Sequence, residues 1–96
     1  MRALRRAHRD DANRAMLHSF WTGLPHATWM DIMPTVKGMP DALIGTGGKD
    51  QLIEIKQPGK RLEPEQIAWG CEWRGAMPLL VQTTDDLLQL YRAMRR

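Results

Sequence analysis

The feature that most constrains the fold is a glycine-rich segment between two short apolar runs, DALI at residues 41–44 and QLIEIK at residues 51–56. Apolar and β-branched residues bounded by glycines predict a β-hairpin. Gly47 and Gly48 suit the centre of a type I′ turn, because both central positions of that turn need a positive φ. With these two glycines at the turn, the predicted register pairs Ile44 with Gln51, Leu43 with Leu52 and Asp41 with Glu54.

This register brings two acidic residues together. Directly opposed residues share a face of the sheet with their β-carbons roughly 5 Å apart, so Asp41 and Glu54 are expected to be neighbours, with Lys56 two residues further along the same face. Facing like charges destabilise a sheet unless a cation lies between them. Carboxylate oxygens are the ligands that Mg²⁺ and Mn²⁺ prefer, so the hairpin predicts a site for one of these ions.

The same residues carry a resemblance to a known family. Pro40-Asp41 followed by Glu54-Ile55-Lys56 resembles the PD-(D/E)xK nucleases. The longer pattern, Gly38-x-Pro40-Asp41, then Ile53-Glu54-Ile55-Lys56, then Pro58-Gly59-x-x-Leu62-x-x-x-Gln66, resembles their VRR-NUC branch, which includes small stand-alone phage proteins. The ordered set of positions is far more specific than the bare D…ExK letters.

The resemblance implies a role for each residue of the pattern. It implies that Asp41, Glu54 and the backbone carbonyl of Ile55 hold Mg²⁺ or Mn²⁺, and that Lys56 orients a water molecule and stabilises developing negative charge. It also implies that Gln66 positions the water or Lys56. Two alternatives stay open: Glu54 and Lys56 as a cross-strand ion pair, and Gln66 as an exposed glutamine at the start of a helix. The residues expected to contact nucleic acid are Lys37, Gly38, Lys60 and Arg61.

The chain departs from the family pattern at one place. Members of the VRR-NUC branch usually carry arginine in or just after a late strand, where this chain has Val81-Gln82-Thr83. The metal ligands are unaffected, but a substrate preference that depends on this arginine does not carry over.

Composition sets wider limits. A chain of 96 residues predicts one domain, residues 1–96, near the lower size limit for a self-sufficient core, so a homodimer is expected. The net charge of +3 suits an anionic partner. The single Cys71 excludes an internal disulfide and fits a reducing cytoplasm, and no apolar stretch is long enough to predict a membrane span.

The remaining elements follow from periodicity. Residues 3–21 predict a helix with an apolar stripe through Ala12, Met16 and Phe20, flanked by Leu17 and Trp21. Its basic residues are expected either to contact phosphate or to form an ordinary solvated face. Its acids, which in this superfamily sometimes join the metal site, are Asp10 and Asp11; its named basic residues are Arg2, Arg5, Arg6, Arg9 and Arg14.

Four further segments complete the prediction. Residues 28–33 favour a strand, and residues 63–74 favour a helix with Ile67 and Cys71 facing the sheet and Gly75 as its cap. Residues 78–82 favour a buried strand. Thr83 and Asp86 predict a capping box at the start of the last helix.

Together these patterns predict an α/β domain with a restriction-endonuclease-like core, in which helices flank a small mixed sheet. The predicted function is a metal-dependent DNA endonuclease, cytoplasmic and phage-like, that selects branched or four-way junction DNA. Two alternatives stay open: a nuclease-fold protein that binds DNA without cutting it, and a small phage protein that inhibits a host protein through Trp69 and Trp73.

Overall fold

The computed structural model describes the backbone of residues 2–96 and the side chains of residues 12–96, so side-chain roles expected for residues 2–11, including Asp10 and Asp11, lie outside the described part. Helices and strands follow one another in the predicted order. They are α1 (Arg2–Thr22), β1 (Thr28–Asp31), β2 (Ala42–Thr46), β3 (Lys49–Ile55), α2 (Pro64–Glu72), β4 (Leu79–Val81) and α3 (Thr84–Met94).

The four strands form one mixed sheet in the order β1-β2-β3-β4. Strands β1, β2 and β3 are antiparallel, whereas β4 runs parallel to β3 because α2 carries the chain back across the sheet. The predicted hairpin register is confirmed, with Leu43 opposite Leu52 and Ile44 opposite Gln51. Gly47 and Gly48 have φ of 62° and 76°, which is the backbone conformation that a type I′ turn requires.

The first strand is shorter than residues 28–33. Its partner β2 begins at Ala42, which pairs with Asp31. Beyond that pair a single backbone hydrogen bond remains, from the Ile32 amide to the Asp41 carbonyl at 2.9 Å. The ladder therefore ends because the neighbouring chain turns away, before Pro34 is reached.

The core lies on the sheet face that packs against α1 and α3. Its fully buried members are Leu17, Trp21, Ala42, Ile44, Ile53, Val81 and Leu87. The apolar stripe expected on α1 is confirmed for Leu17, Trp21 and Phe20, which are buried in the core or packed against it, and wrong for Ala12 and Met16, which are exposed. The helix docks through its bulkiest side chain, and the Trp21 indole N–H donates to the Thr28 carbonyl at 2.7 Å. This hydrogen bond satisfies the polar group that burial of the indole removes from water.

The second helix also differs from its prediction. It ends at Glu72, with Trp73 rather than Gly75 as its C-cap. Ile67 and Cys71 are exposed, and the buried residue of this helix is Gly70. Gly70 packs against the following segment, where a Cβ would meet Met77 and Pro78 at an ordinary contact distance of 3.5 Å.

The last strand, β4, is only partly buried, whereas the sequence predicted a buried strand. It lies at the edge of the sheet, where Val81 is buried and Leu79 is 40% exposed. Leu79 and Val81 share one face of the strand, so burial increases along this short edge strand, from exposed Leu79 to buried Val81. No helix within residues 2–96 is long and apolar enough to cross a membrane.

The start of α3 is capped as predicted. The Asp86 amide donates to the Thr83 hydroxyl oxygen at 3.2 Å, and the Thr83 amide donates to the Asp86 carboxylate at 3.1 Å. Two backbone donors at the helix start, the amides of Thr83 and Asp86, are thereby satisfied.

We expect Thr83→Ala to lower the free energy of unfolding by about 1 kcal/mol, because it leaves the Asp86 amide without its acceptor. Urea denaturation measures this change. Thr84→Ala, one position inside the helix, is the matched control and should cost clearly less. Equal costs at both positions would contradict a capping role for Thr83.

Candidate metal-binding site

Asp41 and Glu54 meet at the end of the hairpin farthest from its turn. Asp41 stands one residue before β2, and its amide donates at 3.0 Å to the carbonyl of Ile53, the residue that pairs with Ala42. The paired register ends at Ala42 and Ile53, so Asp41 and Glu54 are neighbours just beyond the ladder, and the pairing predicted between them is not part of it. Their carboxyl groups lie within hydrogen-bonding reach, and Glu54 is only 4% exposed.

Both oxygens of Asp41 have protein partners. Oδ2 accepts from the Ile55 amide and Oδ1 accepts from Nη2 of Arg14, each at 2.7 Å. Hydrogen bonds to an ionised carboxylate are short and strong, so these two donors fix the orientation of Asp41 beside Glu54.

Burial and the neighbouring acid change the protonation of Glu54. Burial, followed by the hydrogen bond and the negative charge of Asp41, raises the pKa of Glu54 to about 9, although Lys56 and Arg14 oppose the shift. At neutral pH Glu54 therefore holds a proton and donates it in the hydrogen bond to Asp41. A buried carboxyl group kept neutral in this way would ionise readily if a cation were bound beside it.

Arg14 links the site to β1, a role that the sequence analysis missed. Its Nη1 contacts Oδ1 of Asp31 at 3.1 Å while its Nη2 holds Asp41. The hydrogen bond from the Trp29 indole is the main cause that lowers the pKa of Asp31; burial opposes it, and the charge and hydrogen bond of Arg14 add to the lowering. The available signal was spacing, since Arg14 precedes the buried Leu17 and Trp21 by three and seven positions and so shares their side of α1.

Lys56 lies just beyond the carboxyl pair, with its backbone held on two sides. Its amide donates to the Val81 carbonyl at 3.1 Å, and its carbonyl accepts from the Asn13 side chain at 3.0 Å. Its ammonium group is 3.9 Å from a carboxylate oxygen of Glu63, and the side chain is 18% exposed. Lys56 is thus positioned by its strand and by α1, and Asn13 is a second residue that sequence reasoning missed.

Gln66 is engaged at the start of α2. Its side-chain oxygen accepts from the Glu63 amide at 2.8 Å, completing a capping box. The structure connects Gln66 to Lys56 through Glu63 and does not place it in a hydrogen bond with the carboxyl pair. This geometry matches the helix-start role that the sequence analysis kept as the alternative.

The residues expected to contact nucleic acid surround this region unevenly. Lys37, Lys60 and Arg61 are exposed. Gly38, with φ of 90°, lies instead against the α2 backbone at Glu65, so its close neighbour is the protein itself.

Gln82, which stands where the VRR-NUC pattern has arginine, holds the loop that carries Lys60. Its side-chain Nε2 donates to the carbonyls of Gln57 and Lys60 at 3.0 Å and 2.9 Å. Gln82 therefore acts as a backbone clamp for this turn.

The donor set fits a hard divalent cation. Asp41 and Glu54 supply two neighbouring carboxyl groups. A cation bound between them would offset the burial and the charge of Asp41 that raise the pKa of Glu54, and would let Glu54 ionise. The part of the chain with described side chains contains no cluster of three or more His, Cys, Asp or Glu side chains. Within residues 12–96, backbone carbonyls such as that of Ile55, together with water, are the candidates for further ligands.

Comparison of the chain with protein-family models, with curated proteins and with solved structures finds no significant match.

Proposed function

We propose that this chain is a metal-dependent DNA endonuclease built on a restriction-endonuclease-like core. The observation that supports this function most is the contact between Asp41 and buried Glu54, with Lys56 two residues after Glu54 and directly after the end of β3. The VRR-NUC-like order of residues in the sequence adds support, because it assigns the same three positions to the chemistry of phosphodiester hydrolysis.

A bound Mg²⁺ or Mn²⁺ would supply a water of lowered pKa and would withdraw charge from the scissile phosphate. Asp41 and Glu54 would hold the ion, with the carbonyl of Ile55 as a third oxygen ligand. Lys56 would orient the attacking water and stabilise negative charge that develops on the phosphate. Gln66 would act indirectly. Its side chain accepts a hydrogen bond from the Glu63 amide, and the Glu63 carboxylate would hold the ammonium group of Lys56.

DNA is the proposed substrate because exposed cations flank the carboxyl pair in the sequence. Lys37 precedes Asp41, and Lys60 and Arg61 follow Lys56 on a turn that Gln82 holds in place. Such cations contact phosphates without reading sequence. We therefore propose selection by DNA structure, with branched or four-way junction DNA as the first substrate to test.

The proposal is tested by incubating labelled duplex, single-stranded, flap and four-way junction DNA with Mg²⁺, Mn²⁺ or EDTA. We expect metal-dependent cutting that Asp41→Asn and Lys56→Ala each reduce by at least about a hundredfold. Lys49→Ala is the matched control for Lys56→Ala, since Lys49 is an exposed lysine at the other end of the same strand. Cutting that persists in EDTA, or that survives both site variants, would refute the proposal.

A second candidate function is protein binding, which an apolar groove of about 470 Å³ favours. The groove lies beside α2, where the Trp69 and Trp73 rings stack with centroids 5.0 Å apart and Trp73 is 48% exposed. It could accept a second copy of the chain or a host protein. No cutting of any DNA in either metal, together with a stoichiometric complex that Trp73→Ala weakens, would favour this function.

A further inference from the structure

We propose that Arg14 is the built-in counter-ion of the carboxyl pair and competes with the divalent cation for Asp41. This inference rests on the proposed function, because it concerns how the same site takes up its metal. Nothing in the sequence pattern assigned Arg14 to the site, and its position follows from contacts alone.

The hydrogen bonds of the Asp41 carboxylate show which contact a metal ion could replace. A metal ligand must offer a free oxygen lone pair toward the ion, and Oδ1 of Asp41 is directed at Nη2 of Arg14 at 2.7 Å. Oδ2 is held by the Ile55 amide at 2.7 Å, inside the sheet. The side-chain contact with Arg14 is therefore the one that can be exchanged without opening the backbone ladder.

Arg14 is the cation that contacts the carboxyl pair directly, through the 2.7 Å ion pair between its Nη2 and Oδ1 of Asp41. A guanidinium group and a divalent ion would both neutralise the charge of Asp41, so binding of one cation at Oδ1 lowers the affinity of this oxygen for the other. The guanidinium group also remains partly accessible, with 31% of the side chain exposed, so it has room to move outward.

Asp31 gives Arg14 a second carboxylate partner. Nη1 of Arg14 is already 3.1 Å from Oδ1 of Asp31, which the Trp29 indole orients from the other side at 2.9 Å. Asp31 can therefore retain the guanidinium group when Asp41 releases it. The protein keeps a positive charge beside the site in both states, while Arg14 gives up its contacts with Oδ1 and with the more distant backbone carbonyl of Asp41, at 2.7 Å and 3.5 Å.

The test is titration of the wild-type protein and Arg14→Gln with Mn²⁺, followed by calorimetry at pH 7.5. We expect Arg14→Gln to bind Mn²⁺ about five- to tenfold more tightly, since the competing ion pair is gone. Lys49→Gln is the matched control, because it removes the same charge at a position five residues from Glu54, roughly 17 Å away along the strand. It should change affinity by less than about twofold.

The outcomes separate this inference from the proposed function. Tighter binding by Arg14→Gln that is lost in the double variant Arg14→Gln/Asp41→Asn would support competition at Asp41. Unchanged or weaker binding by Arg14→Gln, with normal binding by wild type, would overturn the counter-ion role and leave the nuclease proposal standing. Absence of Mn²⁺ binding in wild type and in Arg14→Gln would overturn both, and circular dichroism of each variant checks that it is folded.

Discussion

Glu54→Gln is expected to make the metal-free protein more stable than wild type at pH 7 to 8, and equally stable at pH 4. Burial and the adjacent Asp41 raise the pKa of Glu54 to about 9 from an ordinary value of 4.5. Below pH 4.5 the carboxyl group is protonated in both the folded and the unfolded chain. As the pH rises toward 9, only the folded chain keeps that proton, so stability is lost by up to about 1.4 kcal/mol per pH unit.

Glutamine removes this pH-dependent loss. Its amide has no ionisable proton and can still donate a hydrogen bond to Asp41, so the contact survives in a similar volume. At pH 7 the free energy of unfolding should therefore exceed that of wild type by about 2 kcal/mol. Urea denaturation of both proteins in EDTA, at several pH values from 4 to 8.5, measures the difference.

Adding metal should reverse the order of the two proteins. Under the proposed function Mn²⁺ would bind the folded wild-type site, so saturating Mn²⁺ should stabilise wild type and leave Glu54→Gln almost unchanged. Glu54→Gln should also lose cleavage in the DNA assay. A stability difference that stays the same at pH 4 and pH 8 would show that the proton on Glu54 is not the cause. An acid that lowers stability in the absence of its ligand is typical of a functional site.

The turn and register of the hairpin could be predicted from the sequence. The positions of Gly47 and Gly48 determine the turn type, and the turn type determines the register from Thr46 opposite Lys49 to Ala42 opposite Ile53, which brings Asp41 and Glu54 to the same end of the hairpin. Capping at Thr83 was equally local. In each case the deciding interactions lie within a few residues of one another, so neighbouring letters contain the necessary information.

Tertiary contacts explain where prediction failed. The apolar residues on α1 cover a broad arc, and the choice of Trp21 over Met16 as the buried side chain depends on the Thr28 carbonyl in another element. The role of Arg14 depends on Asp31 and Asp41, seventeen and twenty-seven residues away. A basic helix face looks the same in sequence whether its arginines meet solvent, phosphate or a carboxylate.

The backbone approach at Gly38 is another long-range contact, and it leads to the largest stability effect that we expect. Gly38 has φ of 90°, and a Cβ there would lie 2.7 Å from the Glu65 carbonyl carbon and 3.2 Å from the Trp69 Cβ. Gly38→Ala should lower the free energy of unfolding by about 3 kcal/mol or more, because it combines backbone strain with a clash against a helix. Urea denaturation measures the loss.

Gly59→Ala separates these two causes. Gly59 has a similar φ of 86°, but no atom lies within 4 Å of the position that its Cβ would occupy. It should therefore show the backbone strain alone, about 1 kcal/mol. Equal losses at the two glycines would mean that the approach of Gly38 to α2 does not constrain the fold. A larger loss at Gly38 would mean that the loop leading to Asp41 sets the position of α2, and with it the Glu63 carboxylate that meets Lys56.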